Sequence, residues 1–495
     1  MKLQTAALAL GAALFVLPAT AQVLEIATDQ SPVGLDPHVA TSFATILVTS
    51  TVYEGLTAID SSLRVVPALA QSWTVSDDGK TYRFQLRPGA AFHNGRAVKP
   101  EDVVASIARV RDPKTGSPYA SRFTAITAAE PDGDNGVRIT LDQPSAPFLS
   151  QLAALVIIPP ESAGELARKP VGTGPFKFRE WVPDTYIALD KNGSYWEQGL
   201  PRLAGLKFNI VPEAATRQLG IQSGTYRMLP SLDAATATAL GSQARVKVLA
   251  TQDLAYSLIG LNTTKPPFDK PEVREAVNMA IDRGQIVDAA YFGKAVPGGP
   301  LSPALKDWAL PTSDFPCYRP DPAAARRKLE AAGLQVPVKI TINVLGSLQQ
   351  VVDVAQVVQA QLNKAGFEVA LNVQEQGRFI QDWRGGNFQA FASLNGGGTD
   401  PDDYFGRTFS TGGATNVFKY SNPELDKTLA AARTARDPAE RKRLYDTAQK
   451  TLACQGPVVH LAYGTLFTAI RNDVQGYEPN ATRSLRGLRE ARIGQ

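Results

Sequence analysis

At 495 residues, with 44% hydrophobic and 20% charged side chains, the chain can bury a large core and has the length of roughly two to three domains. Its 35 Pro and 40 Gly are scattered, which excludes a low-complexity or disordered chain. A formal net charge of +4 at pH 7 is too small to mark a nucleic-acid binder or a membrane-surface protein.

Met1 to Ala21 reads as a secretory signal peptide. Lys2 precedes an apolar run from Ala6 to Leu17, and Pro18 and the small-x-small sequence Ala19-Thr20-Ala21 follow, so cleavage is expected after Ala21. The run is too short to span a bilayer, and no Cys near the cleavage site offers a lipid anchor. A soluble periplasmic protein is expected. Its net charge is +3, with 50 basic side chains against 47 acidic.

From Ala70 to Val110 the pattern is strand, tight turn, strand, looser turn, helix. Trp73 and Val75 alternate with polar neighbours before Ser76-Asp77-Asp78-Gly79, a turn sequence. Tyr82, Phe84 and Leu86 then alternate with polar residues, as in a strand with one buried face. After the His93-Asn94-Gly95 turn, Pro100, Glu101 and Asp102 suit a helix N-terminus, and Val103, Ile107 and Val110 form its apolar stripe.

Farther on, Asp269 to Ile281 carries Val273, Val277 and Ile281 on one helical face. Asp321-Pro322 opens a helix that closes at Gly333. Gln349 to Ala365 is apolar at Val351, Val354, Val358 and Leu362, stops at Gly366, and leads into a strand bearing Phe367, Val369, Leu371 and Val373. Asp437-Pro438-Ala439-Glu440 supplies an N-cap for a helix that buries Leu444, Tyr445, Ala448 and Leu452. Interleaved strands and helices predict an α/β architecture. The basic clusters Arg326-Arg327-Lys328 and Arg441-Lys442-Arg443 read as solvated helix faces.

No residue pattern supports catalysis: Gly-x-Ser-x-Gly, His-Glu-x-x-His, phosphate-loop and paired-Cys motifs are all missing. His38, His93 and His460 are distant from one another, without metal-ligand spacing, and no cofactor is expected. Cys317 and Cys454 can form one long-range disulfide in an oxidising compartment, two separate buried thiols being the alternative.

Eight short motifs in order carry a resemblance: Leu35-Asp36-Pro37-His38 with Val52-Tyr53-Glu54-Gly55-Leu56, the Ala70–Val110 block, Val171-Gly172-Thr173-Gly174-Pro175-Phe176, Trp181-Val182-Pro183, Tyr195-Trp196, Asn262 to Phe268, Ala280-Ile281-Asp282-Arg283, and Tyr420 to Asp426. Together they resemble the family 5 extracellular solute-binding proteins, the peptide- and nickel-type receptors of ABC importers. The resemblance implies a two-lobed periplasmic-binding-protein fold (class II, three-domain peptide-receptor type) with a hinge and an interlobe ligand cleft. Domain I would comprise residues 22–53, 166–259 and 474–495, domain II residues 54–165, and domain III residues 260–473. The hinge crossings would lie near Leu258-Ile259-Gly260 and Arg471-Asn472-Asp473. The implied function is capture of a peptide or other amine-bearing solute and its delivery, by a monomeric receptor, to an inner-membrane permease. A nickel-chelate receptor of the same fold and, more remotely, a secreted hydrolase are the alternatives.

The binding candidate is Ser393 to Phe405, with Asn395, Gly397, Thr399 and Asp400. Consecutive glycines at 396–398 let backbone approach a ligand closely. In peptide-binding relatives, the acid taken to match Asp400 pairs with the ligand's amino group. The bare residues also describe an acidic turn in which Asp400 caps its own backbone. Relatives often carry Trp where this chain has Leu394, and an Arg in the region where it has Asp353. A short peptide held at both ends therefore fits less well than a longer peptide or another amine. By resemblance Ser42 and Phe43 would edge the cleft from domain I, and Tyr119 would reach it from domain II.

Overall fold

A computed structural model describes residues 22–40 and 42–494. The signal-peptide reading of residues 1–21 lies outside the described residues.

Two long antiparallel strands, Val246–Leu261 and Val458–Arg471, run through the middle of the molecule and belong to both of its large sheet regions. Their Val246–Gln252 and Thr465–Arg471 halves face a set built from Met228–Leu232, Val23–Thr28, Gly205–Ile210, Tyr186–Lys191 and Phe176–Val182. Their other halves join Ala390–Asn395, then Val338–Leu345 and Phe367–Gln374, which pair in parallel. The register of the central pair slips between Gln252 and Tyr256. The Gln252 side chain fills the slip, donating to the carbonyls of Tyr463 (3.0 Å) and Gly464 (2.6 Å). Leu258 to Gly260, by contrast, is paired on both edges.

The Ala70–Val110 block forms part of a separate four-stranded antiparallel sheet, ordered Ala70–Val75, Thr81–Leu86, Gly136–Leu141, Ile126–Pro131. Thr81–Leu86 buries Tyr82, Phe84 and Leu86 and exposes the residues between, as the period of two requires. Ala70–Val75 is an edge strand, so Trp73 is only half-buried and Val75 is exposed. The helix Pro100–Arg111 lays Val103, Ile107 and Val110 on this sheet, and the Asp102 side chain accepts from the Lys99 amide at its start (2.8 Å).

Helices elsewhere follow their caps. Asp321 accepts from the Ala324 amide (2.8 Å) to open Pro322–Ala331, and Gly333 takes the left-handed conformation just beyond it. Gln349–Lys364 buries Val351, Val354, Val358 and Leu362. Cys317 and Cys454 are joined in a disulfide, Cα–Cα 5.6 Å, near the end of the helix Pro438–Gln455. One sequence expectation is corrected here: Arg441 does not face solvent. It is buried because the carboxylate of Asp400 neutralises it, a pairing across 41 residues that no local pattern displays.

Candidate functional site

A cleft of about 410 Å³ opens where the small sheet's body, the central strands and the second large lobe meet. Phe43, Tyr119 and Arg122 line one wall, Asp253 to Ala255 lie at the register slip of the central pair, and Gly396 to Thr399 with Asp403 line the opposite wall.

The glycine wall is built from the strand Ala390–Asn395 and the helix Pro401–Phe409. Asp400 is the N-cap of that helix, and its side chain accepts from the Asp402 amide (2.9 Å). Both of its carboxylate oxygens also receive Arg441, at 2.9 and 2.7 Å. The acid expected to meet a ligand's amino group is thus given over to the protein, and it is not among the cleft-lining residues. Asp403, at the third position of that helix, lines the cleft, and its carboxylate also accepts from the Asp400 amide at 3.4 Å. Burial pushes the Asp403 carboxyl up to about 6, and the nearby Arg122 guanidinium opposes the rise. Among the described residues neither Asp403 nor Arg122 forms an ion pair.

The glycines have reasons of their own. A Cβ on Gly397 would overlap the Tyr404 ring, whose hydroxyl donates to the Leu254 carbonyl (2.9 Å). One on Gly398 would overlap the Asp403 carboxylate, whereas Gly396 faces open space. Two of the three therefore serve packing within the protein, and only Gly396 leaves room beside the backbone.

The remaining candidates divide. Phe43 lines the cleft 59% exposed, with the Arg483 guanidinium 4.2 Å over its ring. Arg483 in turn donates to Asp253 (2.8 Å) at the register slip. Tyr119 lines the cleft while its hydroxyl donates to the Ala40 carbonyl (2.8 Å). Thr399 and Gly397 are on the wall. Ser42 instead caps the helix Phe43–Val52, accepting from the Thr45 amide (3.2 Å). Asn395 donates to the Tyr256 hydroxyl (2.9 Å) and stands outside the lining.

Sequence reasoning missed Arg122, Asp253, Asp403, Arg483 and the buried Glu54. Glu54 accepts from Tyr195 (2.7 Å), Trp196 (2.9 Å) and Arg486 (3.3 Å), which ties the Val52–Leu56 motif to the Tyr195-Trp196 pair. Only Asp403 lay within the stretch already singled out; the arginines sit in no motif. The histidines serve structure. His38 Nε2 meets the Val156 carbonyl (2.9 Å) and His93 Nε2 that of Gly174 (3.0 Å), and burial lowers both rings' pKa, that of His93 to about 4. His460 is fully buried. Among the described residues no three His, Cys, Asp or Glu side chains cluster as metal ligands would.

Residues 64–416 match the family described as bacterial extracellular solute-binding proteins, family 5 middle. The chain is similar to a probable di/tripeptide-binding protein 5 of Pseudomonas aeruginosa, 33% identical over 97% of each chain. It is similar, at 29% identity over 90% of this chain and 89% of the other, to the glutathione-binding protein GsiB of Escherichia coli. Among solved structures it resembles the periplasmic binding protein DppA of Helicobacter pylori in complex with the peptide STSA, with TM-score 0.80 and 28% identity over 96% of this chain and 98% of that one.

Proposed function

Since the chain belongs to the bacterial extracellular solute-binding proteins of family 5, we propose that it captures a short peptide or another amine-bearing solute between its lobes and hands it to the permease of an ABC importer. One observation carries the choice of ligand: Asp403 lines the cleft with no ion-pair partner among the described residues, opposite Arg122, which also has none. A protonated amine on Asp403 would gain a charge-assisted hydrogen bond in a partly dry site, and Arg122 would suit a carboxylate. The volume, about 410 Å³, falls within the range of small-ligand pockets. Phe43 and Tyr119 add apolar surface that tolerates varied side chains.

The chain belongs to a family of extracellular solute-binding proteins, and the finer proposal is that it acts by binding and not by catalysis. The finer reading is that residues 1–21 direct secretion to the periplasm, where the mature chain acts as a soluble monomer; among the described residues no helix is long and apolar enough to cross a membrane. Domain I is proposed to comprise 22–53, 166–259 and 474–495, domain II 54–165, and domain III 260–473. The hinge is assigned to Gln252–Leu258 and the facing His460–Thr465, just ahead of the domain bound at 259/260, because the strand register slips twice there. Lobe closure would be selected by a ligand that touches both walls. The nickel-chelate reading ranks behind, since none of the three histidines is among the cleft-lining residues.

The test is native mass spectrometry of the protein purified without refolding, followed by calorimetry with the released ligand on wild type and Asp403→Asn. Release of a peptide or other amine, bound at least about tenfold more weakly by the variant, is expected. A ligand without an amine, or equal affinities, would sink the reading.

A further inference from the structure

The Ser76–Gly79 turn and the loop at Asp142–Ala146 are not among the cleft-lining residues, yet both reach across to the opposite lobe. The Ala146 amide donates to the Arg433 carbonyl at 2.9 Å, and the Arg436 guanidinium donates to the Asp77 carbonyl. Asp77 and Ala146 belong to the body of the small sheet; Arg433 and Arg436 belong to the end of the helix Pro423–Thr434 and the residues just after it, in the second large lobe. Arg433 stands in that helix's last turn, where carbonyls lack an intrahelical donor, so the foreign amide fills a real vacancy.

Both partners are braced. Gly79, with φ +72°, sits against Pro144, and a Cβ there would come within 3.2 Å of it. Lys80 donates to the Asp142 carbonyl (2.9 Å) and Tyr82 to that of Ser145 (3.0 Å), which fixes the loop that presents Ala146. On the other side Arg433 pairs with Asp402 at 3.1 Å, in the first turn of the helix that carries Asp403. A continuous set of contacts thus runs from the cleft acid through Asp402 and Arg433 to the opposite lobe.

We propose that Arg433 and Arg436 form a clasp with Asp77 and Ala146 that holds the lobes shut over bound solute, and that Arg433 is a positioning residue linking the clasp to Asp403. The proposal rests on the solute-receptor reading, with its closing lobes, and adds to it residues outside the cleft that set how long the solute is retained. The clasp's two hydrogen bonds join the lobes away from the central strands, so an opening motion at the register slip must break them.

The test uses the full mature chain, freed of co-purified solute by unfolding and refolding, with a pool of di- and tripeptides as probe. Exchange of the Ala146 amide reports the clasp, and that of Ile139, inside the small sheet, serves as control. Peptide should slow exchange at Ala146 and leave Ile139 unchanged, and Arg436→Ala should speed peptide release about fivefold, the worth of one hydrogen bond. Equal protection of Ala146 with and without bound peptide, or unaltered release from Arg436→Ala, overturns the clasp. If nothing in the pool binds, the ligand reading fails and the clasp is judged separately. Asp77→Cys/Arg436→Cys protein joined by a short bismaleimide must then show a smaller radius in X-ray scattering than the same protein unjoined; an equal radius overturns it.

Discussion

Asp400 and Arg441 hold each other in a buried bidentate ion pair, at 2.7 and 2.9 Å, with the guanidinium lying 5.1 Å from the Trp308 ring centre and 5.2 Å from that of Tyr445. Removing the carboxylate strands a buried cation, a change that typically costs about 3–5 kcal/mol. Asp400→Ala should therefore lower the urea midpoint markedly, and the folded fraction should still bind solute. Wild-type stability combined with lost binding would return Asp400 to the ligand site.

Asp403 should behave in the opposite way. Its carboxyl is raised from 3.8 to about 6 chiefly by burial, so the folded protein holds more protons than the unfolded chain between those values. Its contribution to stability accordingly falls as pH rises through that window. Asp403→Asn should remove this slope and cost little stability at pH 7. Affinity of the wild type for an amine should weaken as pH falls through about 6, because the neutral acid no longer pairs with it, and calorimetry across that range checks the point.

The glycine wall gives a graded test. Gly398→Ala pushes on the Asp403 carboxylate and should weaken binding with a modest change in melting temperature. Gly397→Ala meets the Tyr404 ring and the Leu254 carbonyl and should destabilise the fold. Gly396→Ala faces open space and should leave the fold intact.

His93 sets an acid limit. Burial lowers its ring from 6.5 to about 4, against the bond to the Gly174 carbonyl. The unfolded chain thus binds the proton first, and stability falls as pH drops from 6.5 toward 4. His93→Gln, which removes the titration, should flatten the melting temperature over that interval; a curve parallel to wild type would remove His93 from the account.

The disulfide between Cys317 and Cys454 closes a span of 137 residues. Chain entropy alone makes such a link worth about 4–5 kcal/mol. Reduction should lower the melting temperature without altering solute affinity at 25 °C, since the bridge lies away from the cleft lining.

Local physics made much of this legible. Alternation at Tyr82, Phe84 and Leu86, the caps at Asp321 and Asp437, and the stripe Val351, Val354, Val358, Leu362 each express contacts within a few residues, and the elements formed as their periods require. The motifs of the Ala70–Val110 block and its companions pointed to the family because scaffold packing constrains them jointly. The site was legible only as a stretch. Of Ser393 to Phe405, Gly396 to Thr399 and Asp403 line the cleft, but which of its acids lies there turns on Arg441, and Arg441 looked like one of three solvated cations.

The α/β elements, the family and the stretch that holds the glycine wall could be read along the chain, because each is written in spacings of a few residues or in motifs kept in order. It took the folded chain to show that Asp400 belongs to Arg441 and Asp403 to the cleft, that Gly397 and Gly398 yield space to protein side chains, and that Arg433 and Arg436 touch the other lobe. An ion pair or a contact between lobes depends on distance in space, and a chain folded across 41 residues, or from Asp77 to Arg436, records no trace of that distance in its local pattern.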